Sequence, residues 1–414
     1  MLILAPMLFK EVIGQQDVKQ QLLQLVHQNR LSHALLFLGK EGSGALPLAL
    51  AFANYVSLFS YPDANAAARA SASLFGGAEV NNSTTVNETW QQADEWMQRQ
   101  PAWSKAAGLV HPDIHFSYPV VPRKSGDKPL SSDYITAWRE FIKQYPYGNG
   151  YDWLQFIGAE NKQGNITAYE CNDIIRKLSL KSFESRYKIL LMWLPEYLGN
   201  AGNKLLKLIE EPPRDTLFLL VAENESLILP TILSRTQLVK VPALDVKDIE
   251  TALMQRGNVA PEQAKQIAWV SEGNYHEALQ LLQHSGDDWQ GLLREWLNAI
   301  LKTGPIAQVK WIEEMSRQGR EKQKQFLRYF NHLLQQTIRL QVMPGISDQL
   351  PDTERDFALR LHKIASLHQH QAIIEALDKA AYYIERNANA KILFHALTIK
   401  LYHILAKSEV VEMK

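Results

Sequence analysis

Three short, almost wholly apolar runs constrain this chain more than any other feature: Ala34-Leu35-Leu36-Phe37-Leu38, Lys188-Ile189-Leu190-Leu191-Met192-Trp193-Leu194 and Leu217-Phe218-Leu219-Leu220-Val221. They are too apolar and too short for surface helices, so they read as strands covered on both faces, as in a parallel sheet packed between helices. Amphipathic stretches lie between them, for example residues 17–28 and 201–211. The second is stopped by Pro212 and Pro213, which cannot continue a helix. Alternating strands and helices of this kind make an α/β domain.

Residues 60–165 interrupt the alternation. This stretch is rich in Ala, Asn, Ser, Gly and Pro, and carries five tryptophans, Trp90, Trp96, Trp103, Trp138 and Trp153. It reads as a large insertion with some helix of its own, around 88–100, and is expected to decorate the surface. After Pro242 the strand signals vanish. Residues 244–286 predict two or three short helices. Residues 287–414 are helical nearly throughout, broken around Gly304-Pro305 and at 343–351, and a helical segment of that size packs as a bundle. The expected domains are therefore 1–243, 244–286 and 287–414.

The chain has 414 residues with 44 basic and 44 acidic side chains, so a strongly basic coat for nucleic acid is excluded. Cys171 is the single cysteine, which excludes an intrachain disulfide and a multi-cysteine zinc site. The apolar start, residues 1–9, is short and lacks a basic n-region, so it does not read as a signal peptide. No apolar run reaches the ~18 residues of a membrane span. The expectation is a protein of a reducing compartment, the cytoplasm.

The most informative stretch follows the first strand: Gly39-Lys40-Glu41-Gly42-Ser43-Gly44-Ala45-Leu46. A working phosphate loop reads G-x-x-x-x-G-K-[ST], with backbone amides around the phosphates, a Lys on the β/γ oxygens and a hydroxyl on magnesium. Gly39 and Gly44 have the spacing, but Ala45 stands where the Lys belongs and Leu46 where the Ser/Thr belongs. Lys40 lies on the wrong side of the loop to substitute. The acidic pair expected at the end of a buried strand is also absent: the strand at 187–194 ends in Trp193-Leu194. The sequence thus presents an NTPase fold without the chemistry, a degenerate Walker A and Walker B.

With these residues in view, the chain resembles the bacterial clamp-loader subunits of the AAA+ class, and among them the delta-prime family of DNA polymerase III. The resemblance is carried by Val12-Ile13-Gly14-Gln15, Ser32-His33-Ala34-Leu35-Leu36-Phe37, His111-Pro112-Asp113, and most strongly by Asn203-Lys204-Leu205-Leu206-Lys207-Leu208-Ile209-Glu210-Glu211-Pro212-Pro213 followed by Leu233-Ser234-Arg235-Thr236. Glu385-Arg386-Asn387-Ala388-Asn389 is similar to the family's collar helix. The implied fold is a P-loop NTPase-like AAA+ domain with a large insertion, then a small helical lid and an all-α collar.

The resemblance also implies roles. Ser234-Arg235-Thr236 is similar to the family's Ser-Arg-Cys motif, whose Arg is an arginine finger reaching into a neighbouring subunit's nucleotide site. Gly273-Asn274-Tyr275-His276 is similar to the second sensor segment, with His276 where active members carry Arg. The implied chain is a scaffold with no cofactor and no catalytic activity of its own. ATP and Mg would be bound by partner tau/gamma subunits of a hetero-oligomer that also contains delta and loads the β sliding clamp on primed DNA. Two rivals stand beside it: an ATP-hydrolysing tau/gamma-like subunit, and an AAA+-derived adaptor outside replication.

Other features are weighed and set aside. His111 and His115 with Asp113 resemble a ligand set only superficially, because Pro112 breaks helical spacing, and no metal is expected there or at His368 and His370. The basic run Arg317, Arg320, Lys322, Lys324 and Arg328 reads as the solvated face of a helix.

Overall fold

The computed structural model describes residues 7–59, 89–124, 126–159, 162–283, 288–342, 352–385 and 388–406. The chain divides into two compact units, 1–279 and 280–414.

The first unit is built on five strands: β1 (Ala34–Leu38), β2 (Ile114–Ser117), β3 (Lys188–Trp193), β4 (Thr216–Ala222) and β5 (Gln237–Lys240). They lie in the order β2-β3-β4-β1-β5, every pair parallel. The three apolar runs form the three inner strands, and β3 and β4 are buried at every position. Both faces are covered because side chains alternate along each strand. Leu35, Phe37, Leu191, Trp193, Leu219 and Val221 enter one core, while Ala34, Leu36, Leu190, Met192, Leu220 and Ala222 enter the other.

Before β1 runs α1 (Gln16–His27), and after it α2 (Ala45–Leu58), buried at all 14 positions. A helix apolar on every side needs cover on every side. Beyond the sheet and α1, part of that cover comes from α3 (Trp90–Gln98) and α4 (Trp103–Ala107). Then come α5 (Ile135–Gln144), α6 (Gly150–Phe156) and α7 (Ala168–Leu178).

This corrects the reading of residues 60–165 as surface decoration; 60–88 lie outside the described residues. The remainder supplies strand β2, hydrogen-bonded to β3, and a buried aromatic cluster. Trp138 stacks on Tyr118 at 4.2 Å and meets Trp193 at 5.3 Å and Trp153 at 5.5 Å, edge-on to the last. Trp153 donates its indole N–H to the Pro119 carbonyl at 2.7 Å. The tryptophans are there to fill the core beside the sheet.

A second correction concerns 201–211. The stretch Pro195–Leu205 is 3₁₀, interrupted at Gly199 (φ 48°), and only α8 (Leu206–Glu210) is α-helical. Next comes α9 (Pro230–Leu233), just ahead of β5. Three helices follow β5: α10 (Val246–Gly257), α11 (Pro261–Val270) and α12 (Tyr275–Gln283).

The second unit holds, among the described residues, α13 (Trp289–Asn298), a π-helical turn Ala299–Thr303, α14 (Pro305–Arg317), α15 (Arg320–Val342), α16 (Asp352–Ile364), α17 (Leu367–Glu385) and α18 (Ala390–Ala406). Its core centres on Trp296, stacked on Trp311 at 4.6 Å, with the Trp296 indole N–H donated to Thr398 Oγ1. The basic run is not one solvated face, since Lys324 is only 4% exposed. In the segment 385–389, Ala388 and Asn389 lie between α17 and α18 rather than within a helix, and 386–387 are outside the described residues. No helix among the described residues is long and apolar enough to cross a membrane.

If the aromatic cluster is core, Trp138→Ala should destabilise the first unit by about 3–5 kcal/mol. Urea unfolding of the intact chain, followed by tryptophan fluorescence, checks this. A loss below ~1 kcal/mol would make the cluster peripheral.

Candidate functional site

The loop 39–46 leaves the C-terminal end of β1 and turns into α2, where an open α/β sheet places its ligands. Its glycines are required by crowding as well as by torsion. Gly42 (φ 73°) and Gly44 (φ 89°) are left-handed. A Cβ on Gly39 would lie 2.9 Å from the Val241 carbonyl, and one on Gly42 would run into Asn274 Oδ1 and lie 2.8 Å from Tyr275 N.

The groups crowding this loop are the protein's own. Tyr147 lies over Gly44, 3.2 Å from where a Cβ would be, and its hydroxyl accepts from Ile13 N–H at 2.7 Å. Burial holds that hydroxyl protonated, its pKa pushed up from the ordinary phenol value. Gln15, left-handed at φ 58°, donates its side-chain amide to the carbonyls of Ser43 (3.0 Å) and Pro242 (2.7 Å). Tyr275 N–H donates to Gly42 O at 3.2 Å, and the Tyr275 ring meets Tyr147 edge-on at 4.9 Å. The remaining cavity is about 30 Å³, with Gly42, Gly44, Ala45, Leu46, Tyr147 and Trp193 in its wall. That is room for a water or two. Small-molecule sites run to about 300–1,000 Å³.

His276 closes the arrangement. Its side chain is 5% exposed and lies between two carboxylates, Nδ1 at 2.9 Å from Glu41 Oε1 in the loop and Nε2 at 2.7 Å from Asp152 Oδ2. Asp152 sits in the first turn of α6, where the Asn149 and Asp152 side chains cap each other's backbone N–H groups. Burial alone would lower the imidazole pKa. The hydrogen bonds and charges of Asp152 and Glu41 overcome it and raise the value to about 10. The imidazolium therefore joins the loop after β1, the first turn of α6, and the start of α12.

The other sequence-predicted positions fall as follows. Ala45 and Leu46 open α2 and are buried. Trp193 and Leu194 end β3, 2% and 3% exposed, with Trp193 packed on Trp138 and on Phe141 at 5.9 Å. An indole and an isobutyl group thus stand buried at the end of β3.

Arg235 lies apart from the loop, between α9 and β5. Its Nε donates to Glu210 Oε1 at 2.6 Å and Nη1 to Thr231 O at 2.6 Å and Ser234 Oγ at 3.1 Å, while Nη2 also faces Glu210. The side chain is about one-third exposed. Thr236 turns inward to donate to the Leu233 carbonyl.

Asp113 does not look for a metal. Its carboxylate accepts the backbone N–H groups of Phe183 (2.6 Å), Glu184 (2.7 Å) and Ser185 (2.7 Å), pinning the turn before β3. The sequence reading missed Tyr147, Asp152, Glu41 and Gln15 as parts of the site. Tyr147 and Asp152 lie in the stretch read as decoration, and nothing in their local pattern announces a partner far along the chain.

The model of the family described as "DNA polymerase III, delta subunit" matches residues 109–245. The delta-prime subunit of DNA polymerase III from Bacillus subtilis is 27% identical over 64% of this chain and 59% of its own length. The tau subunit from the same organism is 24% identical over 96% of this chain and 62% of its own. The gamma subunit from Buchnera aphidicola is 32% identical over 28% of this chain and 34% of its own. The chain thus spans less than two thirds of the length of these relatives. A solved gamma-subunit-related protein from Thermotoga maritima, 15% identical over 93% of this chain and 99% of its own, superposes with a TM-score of 0.38.

Two outcomes test the closed loop. Restoring the missing side chains with Ala45→Lys and Leu46→Thr should not create saturable Mg-ATP binding, because Tyr147 and the start of α12 still occupy the space; tight binding by equilibrium dialysis would contradict this. For His276 the folded pKa of about 10 lies above the ordinary 6.5, so its contribution to stability is full below pH 6.5 and lost as pH rises toward 10. Unfolding free energies of the wild type and His276→Gln should therefore converge across that window. Parallel curves would show that His276 is not charged in the fold.

Proposed function

We propose that the chain is a delta-prime-type subunit of the DNA polymerase III clamp loader, a non-hydrolysing scaffold that supplies Arg235 in trans to a neighbouring ATPase subunit. The observation that supports this reading is the filled phosphate loop: a cavity of about 30 Å³, with Ala45 and Leu46 where a phosphate loop carries Lys and Ser/Thr, and Trp193-Leu194 where the strand-end acids belong. Charge neutralisation at a transferring phosphoryl group draws on the loop's Lys and on the hydroxyl that holds the metal, and Ala45 and Leu46 occupy those two positions. The tau/gamma-like motor is disfavoured on the same ground.

In the proposed assembly the first unit is a rigid wedge. Its loop is tied to α12 by His276 and Tyr275, so no nucleotide is available to change the angle between the sheet and the helices that follow it. The chain would work in the cytoplasm beside tau/gamma and delta subunits, with the β sliding clamp and primed DNA engaged through the complex.

Arg235 suits the proposed role chemically. Its planar guanidinium is permanently charged and presents a fork that matches phosphate oxygens. Partly exposed ion pairs such as that with Glu210 are worth only ~0–1 kcal/mol, so exchanging it for a phosphate is cheap. Glu210 and the Thr231 carbonyl hold the guanidinium in the meantime.

A collar is supported by α18. This helix is apolar on most sides: Phe394, Leu397 and Leu401 are buried in the bundle, yet Ile392 (69%), Ile399 (56%) and Tyr402 (47%) stand exposed. Large exposed side chains on a helix already buried on its other face mark a surface for another subunit.

The test is reconstitution with tau/gamma and delta. Arg235→Ala should leave the complex assembled by mass and depress its DNA-stimulated ATP turnover by about 10³–10⁵-fold at the site it serves. Unchanged turnover in an intact complex would remove the finger role.

A further inference from the structure

A second cavity lies away from the phosphate loop, beside the sheet's edge strand β2, with a volume of about 250 Å³. Its apolar wall comes from residues such as Leu109, Phe116 and Ile135, and its polar wall from His111, His115, Arg139 and Lys177. No carboxylate lines it. Other cations of the first unit have close partners. Lys105 is matched by Glu184 at 2.8 Å, Arg235 by Glu210, and Lys188 by the carbonyls of Leu178 and Leu180.

Arg139 is the least satisfied of the group. It is half-buried on α5 and makes one hydrogen bond among the described residues, from Nε to the Leu109 carbonyl at 3.0 Å, which leaves both Nη groups without one. Lys177 at the end of α7 is 2.7 Å from Asp173, but the same carboxylate also takes Arg176 at 2.5 Å, so one negative charge serves two cations. His111 accepts the Asp113 N–H on Nδ1 at 3.2 Å, which places its own proton on Nε2, and Nε2 is buried with no partner among the described residues. Burial lowers the pKa of both imidazoles, so the positive field comes from Arg139 and Lys177 while the histidines add neutral donors and acceptors.

We propose that this cavity binds a small organic anion, a carboxylate or a phosphate ester carried on an apolar body. A guanidinium with free Nη groups and an ammonium facing one pocket make charge-assisted hydrogen bonds to such a group, while Leu109, Phe116 and Ile135 cover its apolar part. The volume falls just short of the usual small-molecule range of about 300–1,000 Å³, which suits a compact ligand.

The probes are phenyl phosphate, benzoate and the uncharged benzamide, titrated into the intact chain and followed by calorimetry. At least one anion should bind saturably and about tenfold or more tighter than benzamide, and Arg139→Gln and Lys177→Gln should each weaken it about tenfold. Arg139→Lys should recover part of the loss, and thermal melting should be unchanged in Lys177→Gln, which sits at the surface end of α7. The stronger of the two anions identifies the headgroup as phosphate or carboxylate. Anions that bind no tighter than benzamide, or that bind Lys177→Gln and Arg139→Gln as they bind the wild type, would overturn the proposal. If Arg139→Gln fails to fold, Lys177→Gln decides alone.

Discussion

His276 holds Glu41 on one side and Asp152 on the other, and the geometry of the first unit's C-terminal sheet edge follows from that bridge. A cation buried among apolar groups costs several kcal/mol to desolvate, and it is tolerated where two carboxylates repay the cost. The bridge is more informative about specificity than about net stability. Removing either partner leaves an uncompensated buried charge, so the three segments it joins move together or not at all. Tyr147 and Tyr275 then fill the space over Gly42 and Gly44, and the loop that would wrap phosphates becomes a packed junction.

The same substitution of packing for chemistry recurs at the end of β3. Trp193 is continuous with Tyr118, Trp138, Phe141 and Trp153, an aromatic cluster that extends from the strand into α5 and α6. Where an NTPase would keep a solvated, metal-binding pocket, this chain has core. α2 is likewise buried at every position and packs as an interior helix. Arg235, between α9 and β5, stays partly exposed.

The inner strands were legible because uniform burial writes itself as an apolar run: β1, β3 and β4 all fall within a residue or two of the runs that announced them. The edge strands were not. β2 is four residues, Ile-His-Phe-Ser, inside an Ala- and Asn-rich stretch, and β5 is half polar because one side of it faces solvent. The absence of the phosphate-loop Lys and hydroxyl and of the strand-end acids could be read from Ala45, Leu46 and Trp193 alone. The closure of the loop could not, because Tyr147, Asp152 and His276 come from segments distant in the chain, and a pairing of charges across such distances leaves no periodic trace. The helix expected at 201–211 is only half formed: residues 201–205 belong to the 3₁₀ stretch that is kinked at Gly199, and the α-helix runs from Leu206 to Glu210, ahead of Pro212.

The central claim is that the loop after β1 is closed by the protein's own side chains and takes no nucleotide. Equilibrium dialysis of the intact wild-type chain against labelled ATP, with and without magnesium, measures this directly. The account requires no saturable binding under either condition. One mole of ATP bound per chain at micromolar concentration would contradict it and return the motor reading to the front.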